Sequence, residues 1–391
     1  MLLTLSYMLL LGMFTGWICK KIHLPSLTGM IFTGILLGPH VLNLIDGSIL
    51  GISAELRRIA LIIILMRAGL SLNIADLKKV GRPAVLMCFL PACFEICGML
   101  LLAPRLLGLS LLDAAILGAV VAAVSPAVIV PKMLKLMEEG YGTKQSIPQM
   151  ILAGASVDDV FVIVLFSAFT GLAQGESISA GSFIQVPASI ITGILAGAVI
   201  GICLAKYFEQ VHIRDTAKII ILLCLSFILI SGEDALSGIL PFSGLIAIMA
   251  MGIALQKKRG IVAGRLSVKF NKLWVCAEIM LFVLVGATVD IQYAYSAGIA
   301  AVLLIFGVLA FRMVGVFLCM TGTSLTTKER IFCMFGYSPK ATVQAAIGGV
   351  PLAMGLSCGN IVLTVAVLAI LITAPLGAFL IEASYKKLLQ H

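Results

Sequence analysis

Apolar runs separated by short polar connections fill the chain from one end to the other. Thirteen runs are of the length that crosses a bilayer as an α-helix, and no polar domain interrupts the series. They cover residues 2–18, 27–44, 57–72, 84–103, 112–131, 149–170, 182–205, 217–232, 236–255, 273–290, 294–320, 331–351 and 358–381. The pattern predicts an all-α polytopic membrane protein, with residues 1–391 as a single integral membrane domain.

The composition excludes an ordinary soluble protein. Hydrophobic residues make up 61% of the chain, charged residues only 12%, and the mean hydropathy is +1.16. Most of the 27 Lys and Arg residues lie in connections that follow odd-numbered runs, which places those connections in the cytoplasm. We therefore expect a protein of the cell membrane with its amino terminus outside and its carboxyl terminus inside. The net charge of +9 then reflects topology and not affinity for nucleic acid. Membrane lipids, and no nucleic acid, are the expected surroundings.

Three short motifs of the first half recur in the second half, in the same order and at nearly the same separation. They are Leu27-Thr28-Gly29 with Phe242-Ser243-Gly244, Gly69-Leu70-Ser71-Leu72-Asn73 with Gly286-Ala287-Thr288-Val289-Asp290, and Ser125-Pro126 with Ser338-Pro339. Matching runs are seven apart, an odd number, so the second copy must be inverted in the membrane. The sequence predicts one repeat over about 1–170, a linker helix over about 182–205, and a second repeat over about 217–385.

Pro126 and Pro339 lie inside the fifth and twelfth runs. A proline there removes a backbone donor and frees a carbonyl, which lipid cannot satisfy. Equivalent breaks in two inverted repeats are expected to meet near the middle of the membrane, where half-helix ends and free carbonyls bind a transported ion. Two simple proline kinks are the alternative interpretation.

Asp158 and Asp159 stand side by side in the otherwise apolar run 149–170. A carboxylate in a membrane is costly, so such a pair indicates a polar cavity that holds a cation or a proton. Mutual repulsion disfavours double ionisation, and the pair is expected to hold a proton near neutral pH. With a hydroxyl from Ser125 or Ser156 and the broken-helix carbonyls, the two aspartates offer hard oxygen ligands for sodium.

Of the other charges within the apolar runs, Glu95, Arg312 and Lys340 bear most directly on the site. Glu95 and Arg312 are near the centres of their runs, and we expect a salt bridge between them. Lys340 follows Pro339 directly, and we expect its flexible ammonium to offset one of the aspartates when no cation is bound. A fixed charge at a helix end is the alternative for Lys340.

Several segments resemble one transporter family. The segments AGASVDDV, VAAVSPAVIVPKML, MRAGLSLN, YSPKATVQAAIGG and ITAPLGAFLI are similar to those of monovalent cation:proton antiporters of the second class, above all to the branch that includes the animal sodium/hydrogen exchanger B proteins. The resemblance covers almost the whole chain. It implies a sodium/proton antiporter fold with thirteen transmembrane helices, two inverted repeats with broken crossing helices, and a homodimer without a bound cofactor.

The resemblance also implies roles for individual residues. Asp158 and Asp159 match the family's acidic pair, of which the second is expected to be the main cation ligand and proton carrier. Arg312 stands where electrogenic relatives have a lysine, and Glu95 matches its expected partner. Pro126 occupies a position where an acidic residue is common, so that no third carboxylate is expected.

The expected function is secondary active antiport of sodium or lithium against protons by alternating access. Because an arginine keeps its proton, Arg312 favours electroneutral exchange. A potassium/proton antiporter or potassium efflux system is the alternative within the same class. An intramembrane aspartyl protease is the alternative of another class, but its aspartates must face each other, and neighbours on one helix point about 100° apart.

Overall fold

The computed structural model describes residues 1–22, 24–71, 81–174, 180–236, 241–289 and 291–391, and within these ranges it contains helices and no strand. The helices are α1 (Leu2–Lys21), α2 (Ser26–Leu37), α3 (Gly47–Gly51), α4 (Ser53–Ser71), α5 (Arg82–Met87), α6 (Leu90–Leu107), α7 (Leu111–Val121), α8 (Pro126–Glu138), α9 (Ile147–Ala173), α10 (Ala180–Gln210), α11 (Asp215–Leu236), α12 (Gly244–Lys258), α13 (Gly260–Ala287), α14 (Ile291–Cys319), α15 (Thr327–Gly336), α16 (Thr342–Ile347), α17 (Val350–Ala353) and α18 (Gly359–Leu388).

Each of the thirteen apolar runs coincides with at least one helix, so the predicted all-α membrane fold is confirmed. Nine helical segments of the described ranges are long and apolar enough to span a membrane. The second run ends earlier than predicted, because Gly38 leaves the helix with extended backbone before Pro39. Of the repeat motifs, Leu72, Asn73 and Asp290 lie outside the described residues.

The fifth and twelfth runs are interrupted, as the two prolines predict. Between α7 and α8 the chain is extended at Ser125, and Pro126 opens α8 at a position where no backbone donor is needed. Between α15 and α16 the chain leaves the helix after Gly336 and resumes at Thr342. The prolines therefore begin or precede a new half-helix instead of bending a continuous one.

The chain divides into two compact units. The first comprises Met1–Arg57, Ala75–Ala173 and Ile279–His391, and the second comprises Arg58–Ile74 and Gln174–Glu278. Each unit takes segments from both halves of the chain. The boundaries of the proposed repeats remain a prediction from the sequence.

Close helix packing defines the second unit. Three glycines of α10, four residues apart, face the backbone of α12: Gly193, Gly197 and Gly201. A methyl group added at Gly197 would overlap the carbonyl of Ala247. Small residues at this spacing let two membrane helices approach each other, where packing rather than the hydrophobic effect holds them together.

In the first unit α18 packs against α7, α8, α14 and α15. Tyr337, at the end of α15, is completely buried, and its hydroxyl donates to the carbonyl of Met87 at 3.2 Å. Ile129, Ile151 and Phe332 belong to the same buried cluster. This core fixes the two interrupted runs at the places where their helices break.

The close contact of α10 with α12 predicts unequal effects of two glycine substitutions. Gly197→Ala should lower the apparent Tm of the detergent-solubilised protein, because the backbone of α12 must move away at a cost of about 1–3 kcal/mol. Gly264→Ala is the control, since a methyl group there meets open space in helix α13. The control should leave the Tm unchanged or raise it. Equal Tm values for both variants would contradict the close packing.

Candidate functional site

The two interrupted runs meet inside the first unit. The backbone N–H of Ser125, just before α8, donates to the carbonyl of Pro339 at 2.8 Å. The hydroxyls of Ser125 and Thr342 lie 3.5 Å apart, and both residues are buried. The predicted meeting of Pro126 and Pro339 is thus present as direct backbone contact between the two breaks.

Gln344 in α16 satisfies carbonyls that the first break leaves free. Its side-chain amide donates to the carbonyl of Val121 at 3.1 Å and to that of Ala123 at 2.8 Å. The sequence analysis missed this role, although Gln344 is a polar residue in an apolar half-helix and lies in the motif YSPKATVQAAIGG. Its own Oε1 is buried without a partner among the described residues.

Arg312 of α14 joins both breaks through one guanidinium. Its Nη1 donates to the carbonyl of Ala122, and its Nε donates to the carbonyl of Tyr337 at 2.8 Å. The side chain is completely buried. A positive charge therefore stands where two helices end and expose their carbonyls, which is where the helix dipole favours a cation.

The same guanidinium binds two carboxylates. Nη1 lies 2.9 Å from Oε2 of Glu95, and Nη2 lies 2.8 Å from Oδ2 of Asp158. The ammonium of Lys340 lies 2.7 Å from Oε1 of Glu95. We call these four residues the buried tetrad. Its two cations and two anions sum to zero charge when all four are ionised, which lowers the cost of holding them in a membrane.

The tetrad contains one expected contact and one that was not expected. The salt bridge between Glu95 and Arg312 is present. Lys340, which was expected to offset an aspartate, makes its direct ion pair with Glu95. The backbone N–H of Lys340 donates to Thr373 of α18, which helps to hold the lysine in this position. The contact of Arg312 with Asp158 was not foreseen.

The neighbouring aspartates have different surroundings. Oδ2 of Asp158 accepts from Arg312 and from the backbone N–H of Val124, the latter at 2.9 Å. Oδ1 of Asp159 is buried, and no described residue donates to it, although the residue retains 8% exposure. Asp158 is thus held and balanced by a cation, whereas Asp159 offers an oxygen that is ready to bind a ligand.

The structure describes some, but not all, of the other side chains predicted to bind the cation. Oδ1 of Asp158 is buried and has no partner among the described residues, so it offers a second oxygen. Ser125 lies in the first break. Ser156 lies in α9, but its side chain is outside the described part of the structure.

Comparison with known proteins identifies the family. A family profile described as the transmembrane domain of sodium/hydrogen exchangers matches residues 8–384. The chain belongs to the sodium/hydrogen exchanger family. Sodium/hydrogen exchanger 9B2 of mouse is 35% identical over 94% of this chain and 69% of its own length. Sodium/hydrogen exchanger 9B1 of mouse is 32% identical over 94% of this chain and 66% of its own length.

A solved structure supports the fold. The sodium proton antiporter MjNhaP1 from Methanocaldococcus jannaschii, determined at pH 8, superposes with a TM-score of 0.86. The alignment covers 98% of this exchanger and 97% of MjNhaP1, at 21% sequence identity. The predicted antiporter fold is therefore confirmed for this exchanger.

The geometry of this exchanger does not fit a protease. An aspartyl protease needs two carboxyl groups that face each other across the peptide bond to be cleaved. Here Asp158 and Asp159 are neighbours on α9, and Arg312 already holds Asp158. This exchanger is a secondary transporter.

The buried tetrad predicts a large difference between two charge deletions. Arg312→Gln leaves Asp158 and Glu95 short of a partner in the protein interior, so it should destabilise the exchanger by about 3–5 kcal/mol. Lys135→Gln also removes one cation from a carboxylate, that of Glu382, but this lysine is 42% exposed. Its loss should cost at most about 1 kcal/mol. Thermal unfolding in detergent compares the two, and similar losses would argue against a tightly coupled tetrad.

Proposed function

We propose that Asp159 binds the transported ions of this exchanger, one sodium ion and one proton in turn. The supporting observation is the charge balance of the site. The tetrad is neutral by itself, and Asp159 is the adjacent carboxylate without a cation among the described residues. One monovalent cation is sufficient to neutralise it.

Competition for the same oxygens couples the two ions. A proton on Asp159 removes the negative charge that attracts sodium, and bound sodium excludes the proton. An unneutralised carboxylate is costly to move through the low-dielectric part of a membrane, so only the loaded site crosses readily. Inverted repeats allow such a site to face each side of the membrane in turn.

Asp158 has a positioning role in this proposal. Val124 and Arg312 hold one of its oxygens, which leaves Oδ1 to complete the sodium shell. Ser125 and Ser156 are the proposed hydroxyl ligands. All of these are hard oxygen donors, which suit sodium and lithium.

The stoichiometry follows from the fixed cations. Arg312 retains its proton throughout the cycle. Lys340 is bound to Glu95 rather than to an aspartate, so sodium at Asp159 does not displace its ammonium. No second proton is then released, and one sodium exchanges for one proton.

Asp159→Asn should abolish sodium- and lithium-dependent proton flux, because the amide neither ionises nor exchanges a proton. The assay uses sealed proteoliposomes with an internal pH-sensitive dye, and addition of sodium, lithium or potassium outside. Asp113→Asn is the matched control, since Asp113 lies in the first turn of α7 beside its capping residue Ser110. It should retain flux. Undiminished flux in Asp159→Asn would show that Asp159 does not have this role. Proton flux with potassium but not with sodium or lithium would identify potassium as the transported cation.

Exchange of one sodium for one proton should build no membrane potential. A voltage-sensitive dye in the same proteoliposomes should show no response to a sodium gradient, while the pH dye responds. With equal potassium on both sides, a potassium ionophore should not accelerate sodium-driven proton movement, because there is no membrane potential to relieve. A membrane potential that forms without other permeant ions would contradict electroneutral exchange.

The cellular membrane, the orientation of the termini and the oligomeric state are also proposed. Lys and Arg lie mainly in connections after odd-numbered runs, which supports a cell-membrane protein with an external amino terminus and a cytoplasmic carboxyl terminus. A homodimer is proposed from the family resemblance. Crosslinking in native membranes tests the dimer, and protease access in right-side-out vesicles tests the orientation.

A further inference from the structure

A basic cavity lies within the second unit, and none of the proposed ion-binding residues lines it. It has a volume of about 590 Å³ and opens where the ends of α10 and α12 meet the beginnings of α11 and α13. Five cationic side chains line it, against one carboxylate, that of Asp215. The cations are Arg214, Lys218, Arg259, Arg265 and Lys269.

The carboxylates near this cavity do not balance its cations. Asp215 lies 3.5 Å from Lys218, 3.5 Å from Arg265 and 3.9 Å from Lys269, so three cations share one distant partner. Arg259 contacts Glu209 at 3.0 Å, but Glu209 is largely exposed and does not line the cavity. The cavity therefore retains an excess of positive charge.

Lys218 is the most buried of these cations, and its ion pair with Asp215 is long. Its side chain is only 7% exposed, and it packs over the ring of Phe208 at 5.4 Å. A buried ammonium normally has short contacts with an anion or several acceptors. Here the nearest carboxylate oxygen is 3.5 Å away. A ligand oxygen in the cavity would complete its surroundings.

The backbone adds to the same field. Helix α11 is 22 residues long and starts at Asp215, so the positive end of its dipole and its free N–H groups lie at the cavity. We propose that this cavity binds a phosphate-bearing anion. Arginine forks and lysine ammonium groups recognise phosphate oxygens, and the volume lies within the ~300–1,000 Å³ of typical ligand sites.

Two sources of phosphate fit this chemistry. The connections that form the cavity follow odd-numbered runs, so it is expected to face the cytoplasm, where soluble phosphate compounds are present. Exposed apolar side chains flank it on the adjoining helices, including Ile220 and Ile261. A lipid whose headgroup enters the cavity would place its chains along such surfaces.

The test measures the apparent Tm of the purified full-length protein in neutral detergent at constant ionic strength. One arm adds pyrophosphate, a second adds phosphatidic acid, and phosphatidylcholine, whose zwitterionic headgroup has no net charge, serves as the comparison. The pocket variant is Arg265→Gln/Lys269→Gln. The control, Lys257→Gln/Lys258→Gln, removes the same charge from exposed residues of the same unit that do not line the cavity.

At least one phosphate probe should raise the Tm of the wild type and the control by about 2–5 °C. In the pocket variant the apparent affinity should fall about tenfold or more. A shift with phosphatidic acid alone assigns the site to a lipid headgroup, and a shift with pyrophosphate shows that soluble compounds bind.

The absence of a shift with both probes, or equal shifts in the pocket variant and the control, would overturn the proposal. If the double variant does not fold, Arg259→Gln provides the same comparison. Because the readout is binding and not transport, its failure leaves the role of Asp159 untouched.

Discussion

One buried guanidinium holds the two helix breaks and the buried carboxylates together. Arg312 bonds to carbonyls at both helix breaks and to the carboxylates of Glu95 and Asp158. Broken backbone and buried carboxylates are each costly in a membrane, and each needs a partner. A planar group with five N–H donors can serve all four acceptors at once, which an ammonium could not do with the same geometry.

Fixing Asp158 in this way makes the two adjacent carboxylates unequal. Asp158 is held by a cation and a backbone N–H, while Oδ1 of Asp159 is buried and has no donor among the described residues. Two chemically identical side chains thereby differ in what surrounds them. The arrangement resembles other sites in which paired carboxylates differ only through their surroundings.

The two units use different physical means to remain folded. The first concentrates charge, with the buried tetrad and Gln344 satisfying interrupted helices. The second relies on close backbone packing of α10 against α12, and it leaves its unbalanced charge in the basic cavity near the helix ends. Fixed interior charge suits the proposed single-ion site, and charge near the surface suits the proposed binding of an anion from outside.

The sequence by itself determined the membrane class, the positions of the spans, the breaks near Pro126 and Pro339, and the acidic pair. The spans follow from the length of the apolar runs, and the breaks follow from the missing N–H of proline; both are local properties. The acidic pair is read directly from the sequence. Only the tertiary structure decided that Lys340 binds Glu95 and that Arg312 reaches Asp158, residues separated by 245 and 154 positions. Long side chains can reach several carboxylates, and the packing of distant helices selects which one is within bonding distance.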